Sequence, residues 1–436
     1  MRLHIGRPSG APDPFRALWF GQTVSAVGTQ VSMVALPLIA VLTLHVGAFE
    51  LGVLAALETV PYLLLSLPAG AVVDRVDHRS TMIACDLGRA AALLATTAAM
   101  FLGVLSIGLL CVVGLVVGSL SVFFTVASTS YLAAILPAER LVAANQRLEV
   151  SESGARVAGP GVGGAILEFA GGAVATALDG ASYLVSAIAI AASGRPARSA
   201  RPAPPESGLV ESIGTGLRHV MGDRVLRDLA GSTAVFNLGS GMILAVVVLF
   251  ATREVGLDAA GFGLVYGLGN VGFVLGATLV GVLTRRFGVG RTFAWSSSAS
   301  AGAVVLLALA GSGSAVVFLL AGRFLGAVAT PIYNVDALSL RQARVSKTIM
   351  GRVNGTFEFL EWGALPVGSL VGGLLAAGLG ARAALVAAAI CGLVSTLWVW
   401  TSPARRLTSL TPAGPALDQA LDPGLVDPSL RPPLVA

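Results

Sequence analysis

Long apolar runs separated by short polar segments repeat along the whole chain. The runs are near or above the roughly 18–20 residues that a helix needs to cross the hydrocarbon core of a bilayer. Strand-like alternation of polar and apolar positions is absent, which argues against an outer-membrane barrel. The pattern predicts twelve membrane-spanning helices, near residues 16–44, 50–73, 81–103, 105–134, 148–170, 174–193, 229–252, 260–283, 292–311, 314–338, 353–378 and 381–402.

Composition gives the same fold class. Only 12% of the 436 residues are charged and 55% are hydrophobic, whereas a soluble domain carries about 25% charged residues. Most of the surface must therefore face lipid or other helices. The chain is predicted to be an all-α polytopic membrane protein that needs no cofactor, and its scattered histidines and cysteines show no metal-ligand spacing.

Basic residues indicate how the chain is threaded. If both termini are cytoplasmic, all but five of the 28 Lys and Arg lie on the cytoplasmic side. Arg253 and Arg382 then lie outside, while Arg89, Arg156 and Arg323 lie within or at the ends of spans. This asymmetry follows the positive-inside rule and requires an even number of spans. We therefore expect a plasma-membrane protein, and the basic pI is no evidence for nucleic-acid binding.

Five segments are expected in the domain organisation. They are a cytoplasmic N-terminus (1–15), a six-helix bundle (16–193), a cytoplasmic interdomain loop (194–228), a second six-helix bundle (229–405) and a disordered tail (406–436). In the loop, apolar residues recur at helical spacing at Leu209, Ile213, Leu217 and Val220. This spacing suggests a short amphipathic helix on the membrane surface, although the loop could also be a simple tether.

An internal duplication is the strongest signal in the sequence. The pattern N-x3-E-x2-E-x-G-x4-G-x3-G-G occurs twice, at an offset of 209 residues. The first copy is Asn145, Glu149, Glu152, Gly154, Gly159, Gly163 and Gly164, and the second is Asn354, Glu358, Glu361, Gly363, Gly368, Gly372 and Gly373. Both copies lie at the start of corresponding spans, so the repeat predicts two six-helix halves in the same orientation with a site between them.

Short motifs at fixed places in the spans carry a family resemblance. Gly70, Asp74, Arg75 and Arg79 form a G-x3-D-R-x3-R pattern after span 2, and Gly159, Pro160, Gly163 and Gly164 lie on span 5. Further motifs are Asp179–Tyr183, Tyr333–Asn334 with Ser339–Gln342, and Gly351–Asn354 with Trp362–Gly363. With these motifs, residues 15–405 resemble the major facilitator superfamily, and within it the branch containing the enterobactin exporter and macrolide efflux proteins.

The resemblance implies proton-coupled export of a small amphipathic molecule by alternating access, with a drug, a siderophore or a secondary metabolite as substrate. The span 5 glycines and proline look like the motif associated with antiporters. Two departures matter. Arg285 stands where the first half has Asp74, and Gly28–Gln30 contains no acid where many members of the branch have one on span 1.

Charged residues at the cytoplasmic ends of the spans suggest a gate. A carboxylate at Asp74 can cap a facing helix while accepting hydrogen bonds from arginine. We expect a latch between acids and arginines that forms when the outward mouth is open, although these groups could also be solvated helix caps. The predicted gate comprises Asp74, Arg75, Arg79, Glu149, Glu152, Arg285, Arg286, Glu358 and Glu361.

Ionisable groups inside spans are costly and are functional candidates by default. Glu58 and Asp336 are the candidate proton-coupling residues. Arg323 could bind an anionic substrate group or pair with Glu58. Asp179 is expected near the outer end of span 6, where it could be hydrated, although a structural capping role is favoured. The pairs Arg156–Glu152 and Asp86–Arg89 have the spacing of local pairs within one helix.

The resemblance further implies that spans 1, 4, 7 and 10 line the substrate cavity. Aromatic residues with a few polar groups suit a large amphipathic ligand. The candidate cavity residues are Gln22, Thr29, Gln30, Phe124, Phe236, Asn237, Arg323, Tyr333 and Asn334. Each could instead serve ordinary packing between helices.

Other functions receive less support. Uptake of a metabolite through the same fold remains open, as does a membrane sensor or partner-binding protein that transports nothing. Gly267, Gly269 and Gly272 match G-x-G-x-x-G, but no strand precedes them, so they predict a packing face rather than a nucleotide site. No nucleophile or base pattern indicates an enzyme. The expected partners are a small-molecule substrate, protons and lipid, and the monomer is expected to function.

Overall fold

The computed structural model of the protein describes residues 14–73, 75–193, 209–310, 314–345 and 349–406. All regular elements in these ranges are helical. The first half comprises α1 (Pro14–Leu42), α2 (Ala48–Val73), α3 (His78–Phe101), α4 (Ile107–Ile135), α5 (Ala138–Ala170) and α6 (Gly172–Ala192). After α7 (Leu209–Gly222), the second half comprises α8 (Arg224–Leu249), α9 (Ala259–Phe287), α10 (Val289–Leu309), α11 (Ala315–Arg344), α12 (Met350–Leu379) and α13 (Ala381–Thr401).

Local chemistry explains where several helices begin. The Asp77 carboxylate accepts a hydrogen bond of 2.9 Å from the Ser80 N–H at the start of α3. Asp258 accepts one of 2.7 Å from the Gly261 N–H at the start of α9. Acceptors at these positions satisfy backbone donors that have no partner within the helix. Gly171 and Gly380 join α5 to α6 and α12 to α13 with φ of 85° and 90°, a region that glycine enters without strain.

Eleven helices in the described ranges are long and apolar enough to cross a membrane. Helix α5 is the twelfth long helix and falls short on apolar character, because charged residues occur along its whole length, from Arg147, Glu149 and Glu152 to Arg156 and Glu168. It begins at Ala138, whereas the hydropathy pattern placed the span near 148–170. The twelve-helix prediction is confirmed, with this earlier start for the fifth helix.

The two halves are built alike. In the first half α1 packs on α5 and α6, α2 on α4, and α3 on α4 and α6. In the second half α8 packs on α12 and α13, α9 on α11, and α10 on α11 and α13. Each contact in one bundle has its counterpart in the other. The bundles meet where α2 packs on α12 and α5 packs on α9, and these two contacts are also counterparts.

The two ends of the molecule differ in how the bundles meet. We call the end where α1 begins and α13 ends the terminal face, and the other end the opposite face. A single buried cluster near the opposite face combines Leu38 and Leu51 of the first half with Val246, Phe262 and Leu385 of the second. The bundles are therefore closed against each other at the opposite face.

Near the terminal face the apolar cores are separate. One buried cluster contains Leu18, Met82 and Tyr131 and draws only on the first bundle. Another contains Leu226 and Phe293 and draws only on α7 and the second bundle. Because no buried cluster joins the bundles there in the described residues, the molecule is closed at the opposite face and parted at the terminal face.

Helix α7 forms where the apolar spacing predicted it, but its surroundings differ from the expectation. It packs on α12 and α8 rather than lying only on a membrane surface. Val220 is 1% exposed within the terminal-face core. A methyl group added at Gly216 would meet the Thr356 hydroxyl at 2.6 Å. The glycine thus permits close packing of α7 against α12.

Candidate functional site

The duplicated glycines are the crossing points of the helices. Gly159 and Gly163 lie against Gln30 and Val31 of α1. Their counterparts Gly368 and Gly372 lie against Leu238 and Met242 of α8. Of the two remaining pairs, Gly154 and Gly363 differ, since a methyl group at Gly154 would meet no atom within 4 Å, and Gly164 and Gly373 contact the other half. Small residues allow helix backbones to approach closely.

The bundles themselves cross at pairs of glycines. A methyl group added at Gly164 would lie 2.9 Å from Gly263 Cα of α9. At the equivalent crossing, a methyl group at Gly373 would lie 3.0 Å from Gly52 Cα of α2. Both crossings lie toward the opposite face. Gly164, the last glycine of the antiporter-like motif, and its counterpart Gly373 thus set the distance between the two bundles.

Polar contacts reinforce the closed opposite face. The Arg253 guanidinium donates to the Val46 carbonyl at 2.8 Å, from the second half to the first. The N–H of Ala259 at the start of α9 donates to the Glu168 carboxylate at 3.3 Å. Glu168 and Arg253 did not stand out in the sequence as contact residues, because their partners are backbone groups that are distant along the chain.

The terminal-face gate residues do not meet in this conformation. Asp74 lies outside the described residues. Arg79 donates to the carbonyls of Ile190 and Ala191 and so caps the C-terminal end of α6. Glu152 pairs with Arg156 at 2.5 Å within α5, as its spacing predicted. The remaining predicted gate residues, Arg75, Glu149, Arg285, Arg286, Glu358 and Glu361, form no ion pair with one another in the described ranges.

The larger cavity, of about 440 Å³, lies in the first bundle. Its wall combines polar residues of α1 and α4 with the first turns of α5, including Asn145 and Glu149, which are exposed near the terminal face. Four predicted cavity residues line it: Gln22, Thr29, Gln30 and Phe124. Gln22 donates to Ser128 at 2.5 Å, and Thr29 shares a hydrogen bond of 2.9 Å with the Tyr183 hydroxyl.

Arg89 forms the centre of that cavity wall. It pairs with Asp86 and lies between two aromatic rings, with its Cζ 4.3 Å from the centroids of both Phe124 and Tyr183. Its Nη1 is 3.4 Å from the Ser121 hydroxyl. The spacing correctly predicted the pair with Asp86 but not its place in the cavity. Only the tertiary packing of α3 against α4 and α6 brings the two rings to Arg89.

A second cavity, of about 250 Å³, lies between the bundles and is called the inter-bundle cavity. It is lined by Phe236 and Arg323 of the predicted set, and by Gln30, which also lines the larger cavity. Most of its other walls are apolar. The predicted residues Asn237, Tyr333 and Asn334 line neither cavity. Tyr333 is instead buried against Phe236 and bonded to the Thr233 hydroxyl at 3.0 Å.

The family model described as "Transmembrane secretion effector" matches residues 11–424. The chain belongs to this family of major facilitator superfamily transporters. It is 28% identical over 419 residues to the "Multidrug efflux pump Tap" of Mycobacterium tuberculosis (strain ATCC 25618 / H37Rv), covering 92% of this chain and 96% of that protein. It is 27% identical over 391 residues to the Tap pump of Mycolicibacterium fortuitum, covering 86% and 92%.

Solved structures show the same fold at low sequence identity. A bacterial homologue of the iron transporter ferroportin matches with a TM-score of 0.71 and 17% identity over 89% of this chain and 98% of that one. The nucleoside transporter NupG matches with a TM-score of 0.70 and 12% identity, also over 89% and 98%. The structural matches show the fold, and the family makes the chain a multi-pass membrane transporter of small molecules and not an enzyme.

The candidate proton-coupling residues of this transporter lie in different surroundings. Glu58 on α2 is half-buried against Gly114 and Gly118 of α4, and its carboxylate has no hydrogen-bond or ion-pair partner among the described residues. Asp336 is 1% exposed near the terminal end of α11. One of its carboxylate oxygens accepts a hydrogen bond of 3.0 Å from Thr284, and the other has no partner in the described ranges.

For two charges in the spans the sequence left alternatives open, and the structure distinguishes between them. Glu58 and Arg323 do not pair: the ion pairs between described residues involve neither. Asp179 is 1% exposed and packs on α1 at Gly28, which agrees with a structural role and not with hydration. Gly28 leaves room for Asp179 and Ser182, and it belongs to the segment Gly28–Gln30, which lacks the acid that many members of the resembling branch have.

The glycines of the G-x-G-x-x-G match do form a packing face. Gly267 lies against the Val157 carbonyl of α5, whereas Gly269 and Gly272 lie against Arg323 and Phe324 of α11. On the neighbouring turn, the Asn270 amide donates to the Arg156 carbonyl at 2.5 Å. This segment of α9 therefore contacts the other bundle on one side and α11 on the other.

Proposed function

We propose that this transporter exports small amphipathic molecules across the plasma membrane by alternating access, in exchange for protons. The observation that carries the proposal is the asymmetry between the two faces. A shared apolar core closes the opposite face, while a cavity in the first bundle reaches exposed residues at the terminal face. Such a conformation can take up a substrate on the terminal side.

The terminal face is proposed to be cytoplasmic. Most of the basic residues belong to the segments at that face, including Arg75, Arg285, Arg286 and Arg344, and positively charged segments stay on the cytoplasmic side. Export rather than uptake is favoured by the similar proteins, which are multidrug efflux pumps. Because both cavities lie within one chain, we expect a monomer to be sufficient.

Proton coupling is assigned first to Glu58. The carboxylate lies inside the membrane-spanning part of α2 without a basic partner, and an intramembrane acid that faces no cation is costly unless it serves a function. Asp336 is the second candidate, since it has one hydrogen-bond partner for two oxygens. The apolar and aromatic walls of the inter-bundle cavity suit a substrate with a large apolar part.

Dye uptake into inverted membrane vesicles tests this function. We expect wild-type vesicles to accumulate ethidium in a manner that a protonophore abolishes, and Glu58→Gln vesicles to lose most of this activity. Glu50→Gln is the matched control, because Glu50 lies on the same helix but is exposed at the opposite face. Insertion of each variant is checked by its amount in the membrane fraction.

The outcomes separate the parts of the proposal. Protonophore-sensitive uptake that survives Glu58→Gln would keep export and move the proton site to Asp336. No uptake of any tested dye, with the protein correctly inserted, would argue for metabolite uptake in the other direction. Asp74→Asn tests the proposed terminal-face latch, and full transport by that variant would exclude it.

A further inference from the structure

The cavity between the bundles contains one charged residue in its described lining. That residue is Arg323, and its neighbours in the wall are mainly apolar, among them Met33, Val34, Val248 and Phe262. A cation in such surroundings is expensive, and cations within spans normally pair with an acid or with carbonyl groups. The surroundings of the guanidinium therefore decide what the cavity can bind.

Arg323 has no acidic partner in the part of the chain that the structure describes. None of the ion pairs between described residues includes it, and its buried Nε has no hydrogen-bond partner there. Its contacts are aromatic: its Cζ lies 4.7 Å from the Tyr266 ring centroid and 5.9 Å from that of Phe273. Cation–π contact offsets only part of the cost of a desolvated cation.

The structure holds Arg323 in this position. The aliphatic part of its side chain lies directly on α9 at Gly269, where a methyl group would be 2.8 Å from Arg323 Cβ. Any larger residue at position 269 would displace the arginine. Arg89 in the neighbouring cavity provides the contrast, because its charge is balanced by Asp86.

Two further polar atoms of the same cavity have no partner among the described residues. They are the Asn270 carbonyl oxygen and the Ser300 hydroxyl. The Asn270 amide nitrogen is already bonded to the Arg156 carbonyl, which leaves its oxygen as an acceptor for the cavity. Buried polar atoms are normally satisfied, so a ligand that fits here brings an acceptor for the arginine and a donor for the asparagine.

We propose that the inter-bundle cavity binds the acidic head of an amphipathic substrate, a carboxylate or phenolate with a neighbouring hydroxyl, and that Arg323 determines this specificity. The inference rests on the proposed export function and adds the substrate class. A guanidinium recognises a carboxylate through charge-assisted hydrogen bonds. Because Gln30 lines both cavities, the apolar remainder of a larger substrate can extend toward the first bundle.

Two dyes that differ at one group provide the test. Rhodamine 110 carries a free carboxylate, and rhodamine 123 is its methyl ester. Their dissociation constants are measured by fluorescence anisotropy with the purified full-length protein. We expect the wild type to bind the acid about tenfold or more tightly than the ester, the ratio that a charge-assisted hydrogen bond of about 1.4 kcal/mol gives.

Variants of Arg323 test the residue itself. Arg323→Gln should bring the ratio of the two dissociation constants to about one, and Arg323→Lys should retain part of the preference. Arg341→Gln is the matched control, since Arg341 also lies on α11 and stacks over an aromatic ring, Phe357, at 4.5 Å, but lines neither cavity. A purely structural role of Arg323 would change stability without changing this ratio.

Each outcome decides between the alternatives. Equal binding of acid and ester by the wild type, tighter binding of the ester, a preference that survives Arg323→Gln, or failure of both dyes to bind would overturn the proposal. Because the wild-type ratio is measured by binding alone, it does not depend on whether Arg323→Gln folds. An acid preference without protonophore-sensitive transport in vesicles would uphold the site and refute export.

Discussion

The crossings between the bundles allow the conformational equilibrium to be shifted by single methyl groups. Gly164→Ala adds a methyl group that faces the backbone of α9, 2.9 Å from Gly263 Cα and 3.2 Å from the carbonyl carbon of Ala259. Ordinary carbon contacts are about 3.5–4.0 Å, so α9 must retreat by about 0.5–1 Å. Backbone atoms cannot turn aside as a flexible side chain can.

The expected magnitude follows from the closeness of this contact. Overpacking of this kind costs about 1–3 kcal/mol. The cost falls on the conformation in which the opposite face is closed, because the crossing lies at that face. If the alternative conformation separates α5 from α9 there, the equilibrium shifts toward it by about 5- to 150-fold. Gly373→Ala should shift it less, since its nearest contacts, the Ala48 carbonyl oxygen and Gly52 Cα, are both at 3.0 Å.

Matched controls lie on the same two helices. A methyl group at Gly154 of α5 or at Gly355 of α12 would have no atom within 4 Å. Alanine at these positions should leave the equilibrium unchanged and stabilise the helix by up to about 1 kcal/mol. The comparison separates the effect of the crossing from the general effect of replacing glycine in a helix.

Distances between spin labels measure the shift. On a chain without its native cysteines, one pair of labels is placed at the opposite face on Val104 and Leu379, and a second pair at the terminal face on Val76 and Arg291. All four positions are exposed. Gly164→Ala should lengthen the first distance and shorten the second. Wild-type distance distributions in Gly164→Ala would refute the assignment of this crossing as the contact that holds the closed face.

Two further predictions concern buried charges. Arg89→Ala leaves the Asp86 carboxylate buried without its cation, so thermal unfolding should show a free energy of unfolding lower by about 3–5 kcal/mol. Adding Asp86→Ala should recover most of this stability. A double variant as unstable as the single one would contradict the pairing. Thr284→Val removes the hydrogen bond that the structure shows to Asp336, and should lower the free energy of unfolding by about 1–3 kcal/mol. In an Asp336→Asn background, the same change should cost less, as unfolding measurements on both backgrounds would show.

The repeated motif explains why much of the architecture was predictable. Three of its four glycine pairs make equivalent contacts in the two copies. Gly159 and Gly368 pack against the first helix of their own bundle, as do Gly163 and Gly372, and Gly164 and Gly373 pack against the second helix of the other bundle. Spacing within a helix also predicted the pair of Arg156 with Glu152. Such local and repeated features can be predicted from residue spacing and repetition alone.

Contacts between distant segments were not predictable in this way. Arg89 has a local partner, so its spacing gave no sign that Phe124 and Tyr183 enclose it from other helices. The start of α5 was missed because its charged first turns lower its hydropathy. Glu168 was missed because its partner is a backbone N–H 91 residues away. These features depend on which helices are neighbours in the folded bundle, and a hydropathy pattern does not contain that information.

The pseudo-symmetry of the two bundles suggests that one of them binds the proton and the other the acidic head of the substrate. In the first bundle, Glu58 of α2 lies against Gly114 of α4. At the equivalent contact of the second bundle, the glycine and the charged residue have exchanged helices: Gly269 is on α9 and Arg323 is on α11. The charged residue is also basic there, whereas it is acidic in the first bundle. At these two equivalent contacts the first bundle carries an acid and the second a base, and neither has an ion-pair partner among the described residues.

This arrangement ties the two proposed sites to separate measurements. If Glu58 carries the proton and Arg323 holds the acidic head of the substrate, Glu58→Gln should abolish protonophore-sensitive uptake while leaving the ratio of acid to ester binding unchanged. Arg323→Gln should bring the ratio of the two dissociation constants to about one and should leave proton-driven transport of a neutral or cationic dye intact. If either variant lost both protonophore-sensitive uptake and the preference for the acid, the two charges would act as one site. The division of roles between the two bundles would then be refuted.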